Sequence, residues 1–168
     1  ANNDCIAIIN GIVTIYANRI YSEGTGSSMY AIEMAQGFSS VDYTYSRVQI
    51  FNADISMTSS TVAMPISFES GSTNKNQELQ LINCRVKGND VGGIGCGQTI
   101  PSDGILSLWN TTIYSGAAKS IEVFSGNSLT VKYYTNSSNM ANVSAGGAGT
   151  LTVSFGTLSV NAAVTAGF

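Results

Sequence analysis

The chain has 168 residues, of which 43% are hydrophobic and only 10% are charged. The scarcity of charge excludes a coiled coil, which needs charged heptad positions, and the apolar content excludes a charge-driven disordered segment. Seven Lys and Arg residues, a net charge of −3 and a pI near 4.7 leave no basic footprint for a nucleic acid.

The residue types also limit the chemistry that the chain can perform. It has no His, the side chain most often used for proton transfer and for binding metals. The cysteines Cys5, Cys84 and Cys96 lack CxxC spacing and predict neither a zinc site nor a disulfide framework. No run approaches the roughly 18 apolar residues of a membrane span. We therefore expect no metal, no cofactor and no membrane span.

A short alternating pattern recurs along the chain and predicts pairs of strands. In each copy, apolar residues alternate with polar ones, a bulky residue and usually Asn follow, and a second alternating stretch completes the unit. The copies are VTIYANRIYS from Val13, VQIFNADISM from Val48, LQLINCRVKG from Leu79, LSLWNTTIYS from Leu106, LTVKYYTNSS from Leu129 and LTVSFGTLSV from Leu151. The first copy is ambiguous, because IAIING from Ile6 fits the pattern as well.

Between these copies lies a second series of apolar runs, which places Ile32, Ile66, Ile94 and Ile121 in equivalent positions. Each repeat then contains three short strands, which is typical of a solenoid whose turns stack about 4.8 Å apart. Three further inward columns follow from the alternation. They are Val13, Val48, Leu79, Leu106 and Leu129; Ile15, Ile50, Leu81, Leu108 and Val131; and Ile20, Ile55, Val86 and Ile113.

The bend between the first two strands carries Asn52, Asn83 and Asn110 in three consecutive repeats. Asn tolerates the left-handed backbone of a tight bend, and stacked amides can hydrogen-bond along the column. This asparagine ladder resembles that of right-handed parallel β-helices, the pectate-lyase-like fold of polysaccharide lyases, galacturonases and bacteriophage tailspikes. The resemblance implies an all-β, right-handed, single-stranded parallel β-helix solenoid of about five coils over residues 1–139. A Gly/Ala-rich linker and a short β-rich C-terminal cap or oligomerisation segment are expected over 140–168.

The position two places past the bend supports this register. It holds Arg19, Asp54, Arg85 and Thr112 in successive repeats, so opposite charges are expected to face each other on adjacent coils.

The residue just before the bend is expected to face outward and to form an apolar stripe. Its members are Tyr16, Phe51, Ile82 and Trp109, followed by Lys132. A contiguous apolar strip of this kind usually marks an interface. We expect an oligomer interface here, with cover by loops and stacking on sugars as the alternatives. The resemblance to tailspikes implies a homotrimer, whose chains the apolar C-terminal run would clasp; packing of that run on its own last coil is the alternative.

Carboxylates on the outer side of the Ile32-series strand are the candidates for catalysis. Glu33, Ser67, Gly95 and Glu122 form one column there, and Glu69 lies diagonal to Glu33. Glycosidases use two carboxylates about 5–9.5 Å apart. No third acid and no aligned base accompany Glu33 and Glu69, so catalysis is not expected; an enzyme built on this pair would be a glycoside hydrolase.

The resemblance is strongest to the distal part of a bacteriophage tailspike or tail fibre. It implies an extracellular, structural and receptor-binding virion protein that contacts a cell-surface glycan or protein. Candidate sugar-stacking residues are Tyr43, Tyr45, Tyr114, Tyr133 and Tyr134. Two alternatives stay open: a polysaccharide hydrolase or depolymerase, and a purely structural virion or surface-filament piece.

Overall fold

The computed structural model describes the chain in segments, and every regular element within them is a β-strand. The described residues are 5–8, 11–23, 29–35, 45–58, 63–69, 76–89, 91–97, 103–114, 120–124, 126–134, 143–145 and 150–155. Within these ranges there is no helix that could cross a membrane. The strands are β1 (Ile6–Ile8), β2 (Gly11–Tyr16), β3 (Arg19–Ser22), β4 (Ile32–Ala35), β5 (Tyr45–Phe51), β6 (Asp54–Met57), β7 (Ile66–Glu69), β8 (Asn76–Ile82), β9 (Arg85–Lys87), β10 (Ile94–Cys96), β11 (Asp103–Trp109), β12 (Thr112–Tyr114), β13 (Ile121–Val123), β14 (Ser128–Tyr134), β15 (Val143–Ala145) and β16 (Thr150–Phe155).

These strands form three sheets that run along a solenoid. Sheet A has the order β1-β4-β7-β10-β13-β15, sheet B the order β2-β5-β8-β11-β14-β16, and sheet C the order β3-β6-β9-β12. All neighbouring strands are parallel. From β2 to β13 the chain passes through sheets B, C and A in turn, which makes four coils with a strand in every sheet. The predicted fold class is confirmed, with slightly fewer complete coils than the five or so expected.

The aliphatic columns account for this architecture, because each coil buries its apolar residues on the equivalent residues of the next coil. In sheet B, Val13 pairs with Val48, Val48 with Leu79 and Leu79 with Leu106. The Ile20 column in sheet C and the Ile32 column in sheet A pair as predicted. The ambiguity of the first copy is also resolved: Val13 begins the sheet B column, whereas Ile6 pairs with Ile32 in sheet A.

The expected register of the fifth copy is wrong by two residues. Val131 pairs with Leu106, and Leu129 pairs with Gly104. A slip of two residues leaves the same side chains facing inward, so alternation alone does not distinguish the two registers. No Asn marks the bend in this copy. The outward stripe consequently continues from Trp109 to Tyr134, not to Lys132.

A glycine and an aromatic ring fit each other in the interior of the solenoid. Phe68 of sheet A is fully buried and pairs with Met34 and Cys96 on the neighbouring coils. A Cβ atom added to Gly104 of sheet B would lie 2.6 Å from Cδ1 of Phe68. Since real Cβ atoms do not approach other atoms so closely, residue 104 has no room for a side chain while Phe68 is present.

The bend asparagines form a continuous row along the solenoid. Asn52, Asn83 and Asn110 have φ angles of 59°, 53° and 46°, in the left-handed region. Nδ2 of Asn83 donates to Oδ1 of Asn52 at 3.4 Å, and Nδ2 of Asn110 donates to Oδ1 of Asn83 at 2.9 Å. The side chains of Asn83 and Asn110 thus each link their own coil to the one before it.

The C-terminal segment continues two of the sheets. Strand β15 pairs in parallel with β13 of sheet A, and β16 pairs in parallel with β14 of sheet B. These strands therefore extend the solenoid past residue 139, within the segment expected to form a cap. Residues 156–168, which the sequence assigns to the same cap, lie outside the described residues, and a role in oligomerisation stays a prediction.

Candidate functional site

The carboxylates considered for catalysis lie in the predicted column on sheet A. Glu33 pairs with Ser67, and Gly95 pairs with Ser67 and Glu122. Glu69 is two residues past Ser67 on the same strand and pairs with Ala35, so it lies diagonal to Glu33.

Burial removes Glu69 from contact with a polymeric substrate. Its side chain is only 1% exposed. Its Oε1 accepts hydrogen bonds from Oγ of Ser67 at 2.5 Å and from the hydroxyl of Tyr30 at 3.2 Å. General acid–base catalysis needs the carboxyl within hydrogen-bond reach of the reacting atom. An enclosed Glu69 does not meet that requirement, and the geometry of the described residues gives no support to a hydrolase at this face.

The outer face of sheet C carries an open groove instead. The groove has a volume of about 520 Å³, within the range of about 300–1,000 Å³ typical of small-molecule sites. Alternate residues of four adjacent strands project from this face, because successive side chains of a strand point to opposite sides. Its lining residues are Arg19, Asp54, Ile55, Ser56, Arg85, Lys87 and Tyr114.

An ion pair across two coils organises the floor of the groove. Arg85 pairs with Asp54 in the sheet register. Its Nε donates to Oδ1 of Asp54 at 2.6 Å and its Nη2 to Oδ2 at 2.7 Å. These hydrogen bonds raise the pKa of Arg85 above its ordinary value. The predicted alternation of charge on this column therefore corresponds to a bidentate contact, which fixes both side chains in place.

The other cations of the groove are more available. The guanidinium of Arg19 lies over the ring of Tyr21, with Cζ 4.4 Å from the ring centroid. The hydroxyl of Tyr21 is hydrogen-bonded to Oγ1 of Thr58 at 3.0 Å, which holds the ring in place. Lys87 is exposed and forms no ion pair within the described part of the chain.

The five tyrosines considered for sugar binding are placed very differently. Tyr114 lines the groove and is 54% exposed. Tyr133 faces the core, pairs with Leu108 and is 5% exposed, so it is not available to a ligand. Tyr134 is half-buried and stacks on Trp109, with ring centroids 4.0 Å apart. Tyr45 begins β5, and Tyr43 lies outside the described residues.

The predicted outward stripe is continuous along sheet B. Tyr16 pairs with Phe51, Phe51 with Ile82 and Ile82 with Trp109. Tyr16 is 75% exposed and stacks on Phe51 with a centroid distance of 4.9 Å. The other three are half-buried. The structure thus contains an apolar strip across the C-terminal ends of the sheet B strands, and sheet C contains the polar groove.

The buried thiol of Cys84 offers no nucleophile. Burial raises the pKa of Cys84, and its Sγ donates to the carbonyl oxygens of Ile50 and Ile82 at 3.3 and 3.4 Å. The thiolate is the reactive form of cysteine, so a raised pKa leaves Cys84 inert near neutral pH. Within the described residues, no three His, Cys, Asp or Glu side chains are grouped as metal ligands would be.

Part of this groove could be predicted from the sequence. Arg19, Asp54 and Arg85 form a predicted register column and Tyr114 is a predicted sugar-binding residue, but the pattern around them predicted no shared site and did not indicate Lys87. The missing signal is the next outward column, Tyr21, Ser56, Lys87 and Tyr114, two residues further along each strand.

No protein-family model matches the chain, and searches of curated proteins and of solved structures gave no significant match.

Proposed function

We propose that the chain is a structural and receptor-binding segment of an extracellular fibre, of the bacteriophage tailspike or tail-fibre type, that contacts a cell-surface glycan. The observation that carries the proposal is the sheet C groove with the exposed ring of Tyr114 at its edge. Aromatic rings offer an apolar face to the C–H groups of a sugar, and the neighbouring hydroxyl and cationic side chains can hydrogen-bond its oxygens. The rigid solenoid holds these groups in fixed register.

The groove is better suited to binding a glycan than to hydrolysing one. Its one carboxylate, Asp54, is engaged by Arg85 through two hydrogen bonds. Hydrolysis of a glycosidic bond generally needs a second carboxylate to complement the first, and the lining contains none.

Tyr114→Ala should weaken glycan binding about 2- to 12-fold, because an aromatic contact contributes about 0.5–1.5 kcal/mol. The measurement is binding to an array of bacterial cell-surface glycans, followed by titration of the best ligand. Ile12→Ala is the control, since Ile12 is an exposed apolar residue of sheet B that lies outside the groove and outside the apolar strip. Loss of binding in the Ile12 variant with an unchanged Tyr114 variant would contradict this placement. A silent array would favour the purely structural alternative.

We further propose that the apolar strip of sheet B is the contact between copies in a homotrimer. An exposed strip that continues over successive coils can be covered along its whole length by a parallel strip of another chain. Light scattering should give a mass three times the 17.5 kDa of one chain. Ile82→Glu should shift that mass toward one chain, because it places an unpaired charge in the contact. A single-chain mass for the unsubstituted protein would refute the trimer, and Tyr114→Ala serves as the control that leaves assembly unchanged.

A further inference from the structure

We infer that the sheet C groove selects anionic carbohydrate, with Arg19 and Lys87 as the residues that contact the negative groups of the ligand. This inference rests on the proposed glycan-binding function and narrows its ligand class.

The distribution of charge is the first argument. Three of the seven basic residues of the chain, Arg19, Arg85 and Lys87, line this one groove, together with the single acid Asp54. The four charges sum to +2 in a chain whose net charge is −3, so the remainder carries −5. Because salt screens charges beyond about 8–10 Å, a ligand in the groove experiences mainly the local positive charge.

The pairing of the cations is the second argument. Arg85 donates a hydrogen bond to each of the two carboxylate oxygens of Asp54, so this acid is already paired. Arg19 contacts the face of Tyr21, and this contact leaves its N–H groups free to bind an anion. On sheet B, by contrast, Arg47 forms an ion pair with Glu78, with its Nε 2.9 Å from Oε2 of the glutamate. Arg19 and Lys87 are therefore the two cations of the groove that no described carboxylate neutralises.

The coil spacing is the third argument. Arg19 lies on β3 and Lys87 on β9, two coils further along, with Ser56 of β6 between them. Strands in a sheet are about 4.8 Å apart, so two coils correspond to about 10 Å along the axis. A linear polymer that lies along the solenoid and carries charge at intervals can meet both cations and the ring of Tyr114. A single small anion would reach only one of them.

The test compares neutral polysaccharides with charged derivatives of the same backbone. Dextran and pullulan, each in neutral, carboxymethylated and sulfated form, are titrated against the protein at low ionic strength. An exposed ion pair is worth up to about fivefold in affinity, so the charged forms should bind about 5- to 25-fold more tightly. The advantage should disappear at high salt. Comparison of the two derivatives shows whether carboxylate or sulfate is preferred.

Substitutions then assign the effect to named residues. Arg19→Gln combined with Lys87→Gln should abolish the advantage of the charged forms over the neutral form of the same polysaccharide. Lys132→Gln, which removes a cation from sheet B, is the matched control and should change nothing. Asp54→Asn should strengthen anion binding several-fold, because it releases Arg85 and removes the one negative charge. A misfolded variant cannot produce that gain.

The outcomes separate the inference from the proposed function. Equal affinity for neutral and charged forms, or an advantage that survives in the double variant, overturns the inference and leaves glycan binding in place. Failure of every polysaccharide to bind overturns both. Single-stranded DNA that binds as tightly as sulfated dextran, through the same two residues, would show a general polyanion site and overturn the assignment to carbohydrate.

Discussion

Phe68→Ala should lower the free energy of unfolding by about 3–5 kcal/mol, the cost of removing a fully buried aromatic ring from a packed core. Phe68 is enclosed between Met34 and Cys96 of adjacent coils and lies against Gly104 across the interior. Equilibrium denaturation with guanidinium chloride would measure the change as a shift in midpoint.

A double-mutant cycle makes this prediction specific. Gly104→Leu alone should destabilise by about 1–3 kcal/mol through overpacking, since its Cβ would lie 2.6 Å from the Phe68 ring. In the Phe68→Ala background the same leucine should fill part of the cavity, so the two changes together should cost less than their sum. Ile20→Ala, three coils away from Gly104, is the control partner and should combine additively. Additivity of Phe68→Ala with Gly104→Leu would contradict the described packing.

Asn83→Val should lower the free energy of unfolding by about 2–5 kcal/mol. Asn83 has a φ of 53°, which a β-branched residue adopts only with strain of about 1–2 kcal/mol. The substitution also removes the amide that donates to Asn52 and accepts from Asn110, and each such hydrogen bond contributes about 0.5–1.5 kcal/mol. Thermal and denaturant unfolding would both report the loss.

Asn83→Gly separates the two causes. Glycine adopts the left-handed backbone without strain but makes no side-chain hydrogen bond. We therefore expect it to cost only the hydrogen-bond part of the loss, about 1–3 kcal/mol, which is about 1–2 kcal/mol less than the valine variant loses. If the glycine variant were as unstable as the valine variant, the backbone conformation would contribute nothing and the side-chain hydrogen bonds would account for the whole effect.

The solenoid could be predicted from sequence because its determinants are local and repeated. Alternation around Val48, Leu79 and Leu106 identifies the inward faces, and the asparagines mark where each coil bends. Prediction failed where the marker was missing: the copy at Leu129 has no bend asparagine, and an even slip keeps every residue on its face.

The complementarity of Gly104 and Phe68 could not be predicted in the same way. The two residues lie on different sheets, Phe68 in β7 and Gly104 in β11, and only the closed interior brings them together. The burial of Glu69 is a similar case, because alternation places its side chain outward and the contact with Tyr30 comes from the preceding coil.

Only some of the residues that line the groove could be predicted from the sequence. Each strand of sheet C contributes two outward residues, and only the first column was considered in the sequence. Reading both columns together would have placed Lys87 and Tyr114 beside Arg19 and Asp54.

The row of bend amides has a polarity. At Asn83 the donor points toward the N-terminal coil and the acceptor toward the C-terminal one, and Asn110 donates in the same direction. Dipoles aligned head to tail reinforce one another, as peptide dipoles do within an α-helix. The exposed bends therefore give the stack an electrostatic sense of direction, with a hydrogen-bond donor presented at the Asn52 end and an acceptor at the Asn110 end.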